Sequence, residues 1–295
     1  MIYGIPSYST TILKINPTND TVSTFGSIAG DSKWVGGILA ENGMIYGIPL
    51  NATTMLKIDP SNDTPTEVGT IAAGVAKYAG GVLAANGLVY CVPFNSEVVL
   101  RFDPSDNSTF TFGGTLSGVL KWFGGCVAPN GMIYCAPHFG TTVLKINPTN
   151  DTVSTFGGTL TGNSKWAGAV ISPTGMIYCI PHDATTVLKI DPSNDTVSEF
   201  GSLSGTGKWV GGILSSNGLI YGVPHESTTV LVIDPLTDTV STFGDLTGAD
   251  KMFGGTIAPN GGLYGMPFDA TTITRIGNGF EVPIDGPLSR WVNAL

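Results

Sequence analysis

Apolar and polar positions along this chain alternate in short beats, and the beats recur in one fixed order. The copy from Lys165 to Gly201 shows a full cycle. Lys165-Trp166-Ala167-Gly168-Ala169-Val170-Ile171 is an apolar run closed by the turn Ser172-Pro173-Thr174-Gly175. Met176-Ile177-Tyr178-Cys179-Ile180-Pro181 is a second run, followed by the turn His182-Asp183-Ala184. Thr185-Thr186-Val187-Leu188-Lys189-Ile190 alternates in character, and Asp191-Pro192-Ser193-Asn194-Asp195 turns the chain into Thr196-Val197-Ser198-Glu199-Phe200. β-Branched and aromatic residues fill the runs, while Pro, Gly, Asn and Asp fill the gaps, which is how strands and tight turns are written. No stretch places apolar residues at helical spacing, so the cycle predicts four antiparallel strands and no helix.

The cycle is built on a Met-Ile-Tyr-Gly-Ile-Pro phrase or a close relative. Its tyrosines are Tyr3, Tyr46, Tyr90, Tyr134, Tyr178, Tyr221 and Tyr264, spaced 43 or 44 residues apart. Four strands in a period of about 44 residues make the blade of a β-propeller. The order of signals, in which Pro/Asn-Gly joins an inner strand to a second strand carrying Ile-Tyr, resembles the YVTN/NHL type of propeller over the whole chain. The Gly-His and Trp-Asp pairs of WD repeats are absent.

Counting strands sets the blade number at seven. The inner strand opens with Lys and then an aromatic residue or Met, at Lys33, Lys77, Lys121, Lys165, Lys208 and Lys251. A seventh copy stands at the C-terminus, where Ser289-Arg290-Trp291-Val292 aligns with Ser32-Lys33-Trp34-Val35. The expected fold is therefore an all-β, seven-bladed propeller with four antiparallel strands per blade. The C-terminal segment is expected to supply the inner strand of the N-terminal blade, which removes an open sheet edge. One domain spans 1–295, with blades at roughly 1–32 plus 289–295, 33–76, 77–120, 121–164, 165–207, 208–250 and 251–288.

Composition narrows the function classes. Charged residues are 12% of the chain and the net charge is −9, which argues against nucleic-acid binding. No apolar run approaches the ~18 residues of a membrane span, so no membrane insertion is expected. Met1-Ile2-Tyr3 already reads as strand rather than signal peptide, favouring a cytosolic or virion-borne protein or an excised module. Cys91, Cys135 and Cys179 hold one repeat position where other blades carry Gly; with Cys126, expected opposite Ile133, they read as buried free thiols.

The thirteen basic residues fall into two sets. Lys33, Lys77, Lys121, Lys165, Lys208, Lys251 and Arg290 precede the inner strands; six others stand on third strands, with Val232 in the remaining blade. The first set predicts a basic ring around one mouth of the central channel, with acidic turns on the opposite face. Each of these basic residues precedes an aromatic or Met, so the ring also fits lysine stems lying along aromatic surface. The candidate ligand site is this ring with Trp34, Trp122, Trp166, Trp209 and Trp291. Its lip is the residue after each Pro: Ser7, Leu50, Phe94, His138, His182, His225 and Phe268. A ring radius of about 10 Å would hold neighbouring histidines about 9 Å apart, too far to share a metal whose ligands sit about 2 Å away. No metal and no cofactor are expected.

The propeller resemblance implies one catalytic option, a calcium-dependent lactonase. Such a site needs six to eight oxygens around the ion. No inner strand carries a carboxylate, and Asn293 is the one inner-strand amide. Catalysis also needs residues that break the repeat symmetry. The sequence therefore predicts no catalytic residues and a non-enzymatic binding or structural module, with a glycan, an anionic ligand or a protein as partner. The alternative is an architectural part of a virion or surface assembly.

Overall fold

The computed structural model describes residues 1–248, 250–268, 272–277, 280–285 and 291–292; residues 280–285 and 291–292 enter as backbone. Arg290 and Asn293 lie outside the described residues. The strands form seven four-stranded antiparallel sheets, and no helix is present among the described residues. The fold is a seven-bladed β-propeller.

The second blade shows the common plan. Its strands are Trp34–Leu39, Ile45–Pro49, Met55–Asp59 and Thr64–Val68, ordered from inner to outer edge. Burial falls along that order, from second strands buried at nearly every residue to outer strands that are largely exposed. In the first blade, the two-residue strand Trp291–Val292 pairs with Ile2–Pro6, placing Ile5 opposite Val292 and Pro6 opposite Trp291.

The Gly-Gly pair of the inner strand has a steric reason. Register shifts between Trp34 and Gly37, and Gly36 adopts φ +79°, a bulge in which the glycine occupies left-handed backbone. A Cβ on Gly37 would lie 2.7 Å from Ile5 Cγ1 of the preceding blade. The pair thus lets inner strands crowd around the axis. The hairpin register also puts Cys126 opposite Tyr134, one residue on from the expected Ile133. All four cysteines are free, and Cys126 is half-buried rather than fully enclosed.

The core lies in the seams between blades. Tyr3, Ile5 and Ile12 of the first blade pack on Trp34, Leu56 and Ile58 of the second, and the other seams repeat this arrangement. At the end of the strands where the third turns into the outer one, polar latches cross the seams. Lys145 Nζ lies 2.7 Å from Asp195 Oδ2, and the Tyr134 hydroxyl donates to Asp195 Oδ1 at 2.9 Å. Lys14–Asp63, Arg101–Asp151, Lys189–Asp238 and Arg275–Asp20 repeat the pair. The last ties the seventh blade to the first.

Candidate functional site at the axial mouth

Inner strands begin, and second strands end, at the same end of the molecule, because Trp34 pairs with Pro49 and its equivalents do likewise. The residues after each Pro therefore gather around the axis at this end. Beneath them, Val35, Ala79, Phe123, Ala167 and Val210 converge from five inner strands into one apolar cluster, joined by Phe253. Phe123 and Phe253 face each other across the axis with ring centroids 5.6 Å apart. The channel is floored by hydrocarbon at this mouth.

On that floor stands an arc of rings. Phe94, His138, His182, His225 and Phe268 follow one another with centroid separations of 5.7, 5.6, 6.1 and 5.8 Å. The histidines are much closer together than the ~9 Å expected from a wide ring. Contacts with the Phe123 and Phe253 rings draw the loops inward over the axis. The ring of these residues is therefore narrower than the radius of about 10 Å taken from the repeat.

Two histidines are oriented alike. His138 Nδ1 lies 3.1 Å from the Trp166 carbonyl oxygen and His225 Nδ1 lies 3.1 Å from that of Met252. A neutral His138 donates this hydrogen bond and leaves Nε2 as an acceptor. Burial pushes the His138 imidazole down to about 4, so it is neutral at ordinary pH. His182 is lowered too, first by burial; its Nδ1 sits 3.0 Å from Asp183 Oδ1 without hydrogen-bond alignment. His225 Nε2 lies 3.1 Å from Asp250 Oδ1.

That last contact marks a break in the repeat. Asn51, Asn95 and Asp183 each use a side-chain oxygen to accept from the backbone N–H one residue before the next blade's lysine, at Ala76, Leu120 and Gly207. Glu226 takes this position in the sixth blade and makes no such bond. The carboxylate of Asp250 turns to His225 instead. Ligand-type atoms of His225, Glu226 and Asp250 all lie within 4.8 Å of one another, which gives the mouth one negative sector.

The lysines lie behind the lip. Lys33, Lys77, Lys121, Lys165, Lys208 and Lys251 are buried, and their ammonium groups donate to backbone carbonyls. Lys121 Nζ reaches the carbonyls of Phe94, Ser96 and Gly118, each at 3.0 Å. Lys165 reaches His138 and Gly162, and Lys208 reaches His182 and Gly205. Burial lowers the Lys121 and Lys165 amines to about 8. Trp34, Trp122, Trp166 and Trp209 are also buried, with Nε1–H donating to a backbone carbonyl. The structure therefore places the Lys-Trp pairs inside the wall; of the candidate side chains the histidines line the mouth, His182 and His225 partly exposed and His138 buried. Arg290 lies outside the described residues, and Trp291 is described only as backbone.

A family model described as a repeat of unknown function (DUF6923) matches residues 129–279. No curated protein matches the chain. Among solved structures, virginiamycin B lyase from Staphylococcus aureus is similar, at 13% identity and a TM-score of 0.75, covering 87% of this chain and 85% of that one. A putative 6-phosphogluconolactonase from Bacteroides fragilis is similar at 16% identity and a TM-score of 0.73, covering 99% and 96% of the two chains. At these identities the likeness is one of fold.

Proposed function

Since the chain belongs to the family of repeats of unknown function that matches it, we propose from geometry that it is a non-enzymatic binding propeller whose ligand seats on the axial mouth. The observation that carries this reading is the arc of five aromatic rings from Phe94 to Phe268 over a closed apolar floor. Ring faces of this kind hold a flat or pyranose-like ligand, and imidazole nitrogens supply its hydrogen bonds. Six buried ammonium groups behind the lip add a positive field without contacting the ligand. No carboxylate perturbs Lys77 or Lys165, so that field is least compensated away from Asp250. The ligand class that fits is an acidic saccharide or a similar ring-bearing anion.

Calorimetry with uronic-acid and sulfated oligosaccharides tests this. Saturable binding is expected, weakened about tenfold or more in a His138→Ala/His182→Ala variant. Silence across the panel, or equal affinity in the double variant, would remove the reading.

A second reading rests on the His225–Asp250 contact and on the lyase and lactonase likenesses, in which the pair would move a proton during lactone ring opening. Turnover of a lactone panel, lost in His225→Ala, would put this reading in place of the first.

A further inference from the structure

The seam between the second and third blades departs from its sisters at the rim. Tyr78 opens the third inner strand, where Trp34, Trp122, Trp166 and Trp209 open four others. Val98 stands where Thr54, Thr142, Thr186 and Thr229 precede the third strand; on the outer strand Thr111 matches Thr24, Thr155 and Thr242, while the second and fifth blades carry Glu67 and Glu199. In the Trp blades the indole N–H donates to that threonine's carbonyl at 2.7–2.9 Å. In the third blade Tyr78 Oη lies 3.1 Å from Ser96 Oγ, which lies 2.9 Å from the Val98 carbonyl oxygen.

The Tyr78 ring is smaller than the indole of the sister blades. A cleft of about 570 Å³ opens beside Tyr78, with Ile71, Val98, Leu100 and Thr111 in its lining. The equivalent cleft between the first and second blades, lined by Ile28, Leu56 and Glu67, holds about 280 Å³. There the Thr54 hydroxyl donates to Glu67 Oε2 at 2.6 Å; Val98 and Thr111 make no such bridge.

We propose that the third-blade cleft binds a small uncharged aromatic molecule carrying one ring N–H or O–H donor, seated against Tyr78 at the rim of the seam. Three features select that class. Ile71, Val75, Val98, Leu100 and Phe110 give the cleft apolar walls, with Asn95 and Ser96 adding polar edges. The Val98 carbonyl keeps a second lone pair for the donor that an indole supplies elsewhere. The one cation in the lining, Lys77, spends its ammonium on the carbonyls of Ala52 and Gly74, so an ionised ligand would be buried without a counter-charge.

Indole and phenol are the probes, followed by ligand-observed NMR and isothermal titration. Wild type is expected to bind indole saturably at one site. Tyr78→Trp, which restores the sister-blade residue, is expected to lower the affinity at least about tenfold while Tm holds or rises. Thr111→Glu, which places across the cleft the carboxylate found in the second and fifth blades, is expected to do the same. Transplanting the cleft into the fourth blade with Trp122→Tyr and Thr142→Val is expected to add a second site. Absence of saturable indole and phenol binding, or binding undiminished in both Tyr78→Trp and Thr111→Glu, overturns the proposal.

Discussion

His138 and Lys121 are ionisable groups held where their charged forms are costly. His138 is pushed down to about 4 from an ordinary 6.5. Its folded pKa lies below its unfolded one, so as pH falls from 6.5 towards 4 the unfolded chain takes up a proton that the fold refuses. Stability is therefore lost across that window. His138→Phe, which copies the Phe94 and Phe268 of other blades, removes this term. Melting curves at pH 7 and 4.5 should show a smaller acid-induced drop in Tm for the variant; an equal drop would refute the assignment. Lys121, lowered to about 8 from 10.5, behaves likewise at higher pH. Its buried charge penalises the fold fully below pH 8 and is relieved as pH rises to 10.5. Lys121→Met leaves three carbonyls without their donor, a loss of about 2–4 kcal/mol near neutrality. The stability gap in favour of wild type should widen between pH 8 and 10, measured by urea unfolding. A gap that narrows would contradict the protonation argument.

Among the elements, the terminal strand carries the sharpest test. The pairing of Trp291–Val292 with Ile2–Pro6 is short, yet it covers the inner edge of the first blade. We propose that 289–295 closes the ring as an inner strand. Truncation after residue 288 should then lower Tm by several degrees and promote association through the bared edge, followed by scanning calorimetry and size-exclusion chromatography. A truncated chain as stable and monodisperse as the parent would refute closure. Elements were the most legible level of this protein. Strand and turn residues alternate so regularly that Thr64–Val68 or Ile177–Pro181 can be drawn from the sequence within a residue. The inner-strand bulge was not legible in the same way, because Gly36 and Gly37 serve different needs, one φ and the other clearance, under one letter. Nor was the lysine burial: a Lys before Trp reads as a snorkelling pair, and nothing local says that a glycine-turn carbonyl such as Gly118 will wrap the ammonium. The site suffered most. The residues after each Pro share one repeat position, but their distance from the axis depends on packing over Phe123 and Phe253, residues far apart in sequence.

Across the whole molecule, symmetry is the rule and one seam breaks it on both faces. At the latch end, Asn107 occupies the place of Asp63, Asp151, Asp195 and Asp238, and its buried Oδ1 has no partner. Tyr46 donates to the Pro104 carbonyl and accepts from Asn42, and Lys57 has no aspartate across the seam at the place of the other latches. A hollow of about 520 Å³ lies there, lined by Asn42, Lys57 and Pro104. With the Tyr78 cleft at the other face, this seam carries a hollow at each end. Asn107→Asp should rebuild the latch without backbone cost, since Asn107 already has the φ of +60° that the aspartates share. A gain of about 0.5–1.5 kcal/mol, or about 1–4 °C in Tm, is expected by calorimetry. No gain would mean that Lys57 does not reach across.

The missing latch also governs how this protein meets amine chemistry. Of its ten lysines, six are walled in by carbonyls and Lys14, Lys145 and Lys189 are held by aspartates. Acylating reagents attack the free, deprotonated amine, so among the lysines Lys57 should take nearly all of a limiting dose. A dye, surface tether or cross-linker attached through amines would therefore report on, and pull from, the seam between the second and third blades, where Lys57 stands without its latch aspartate.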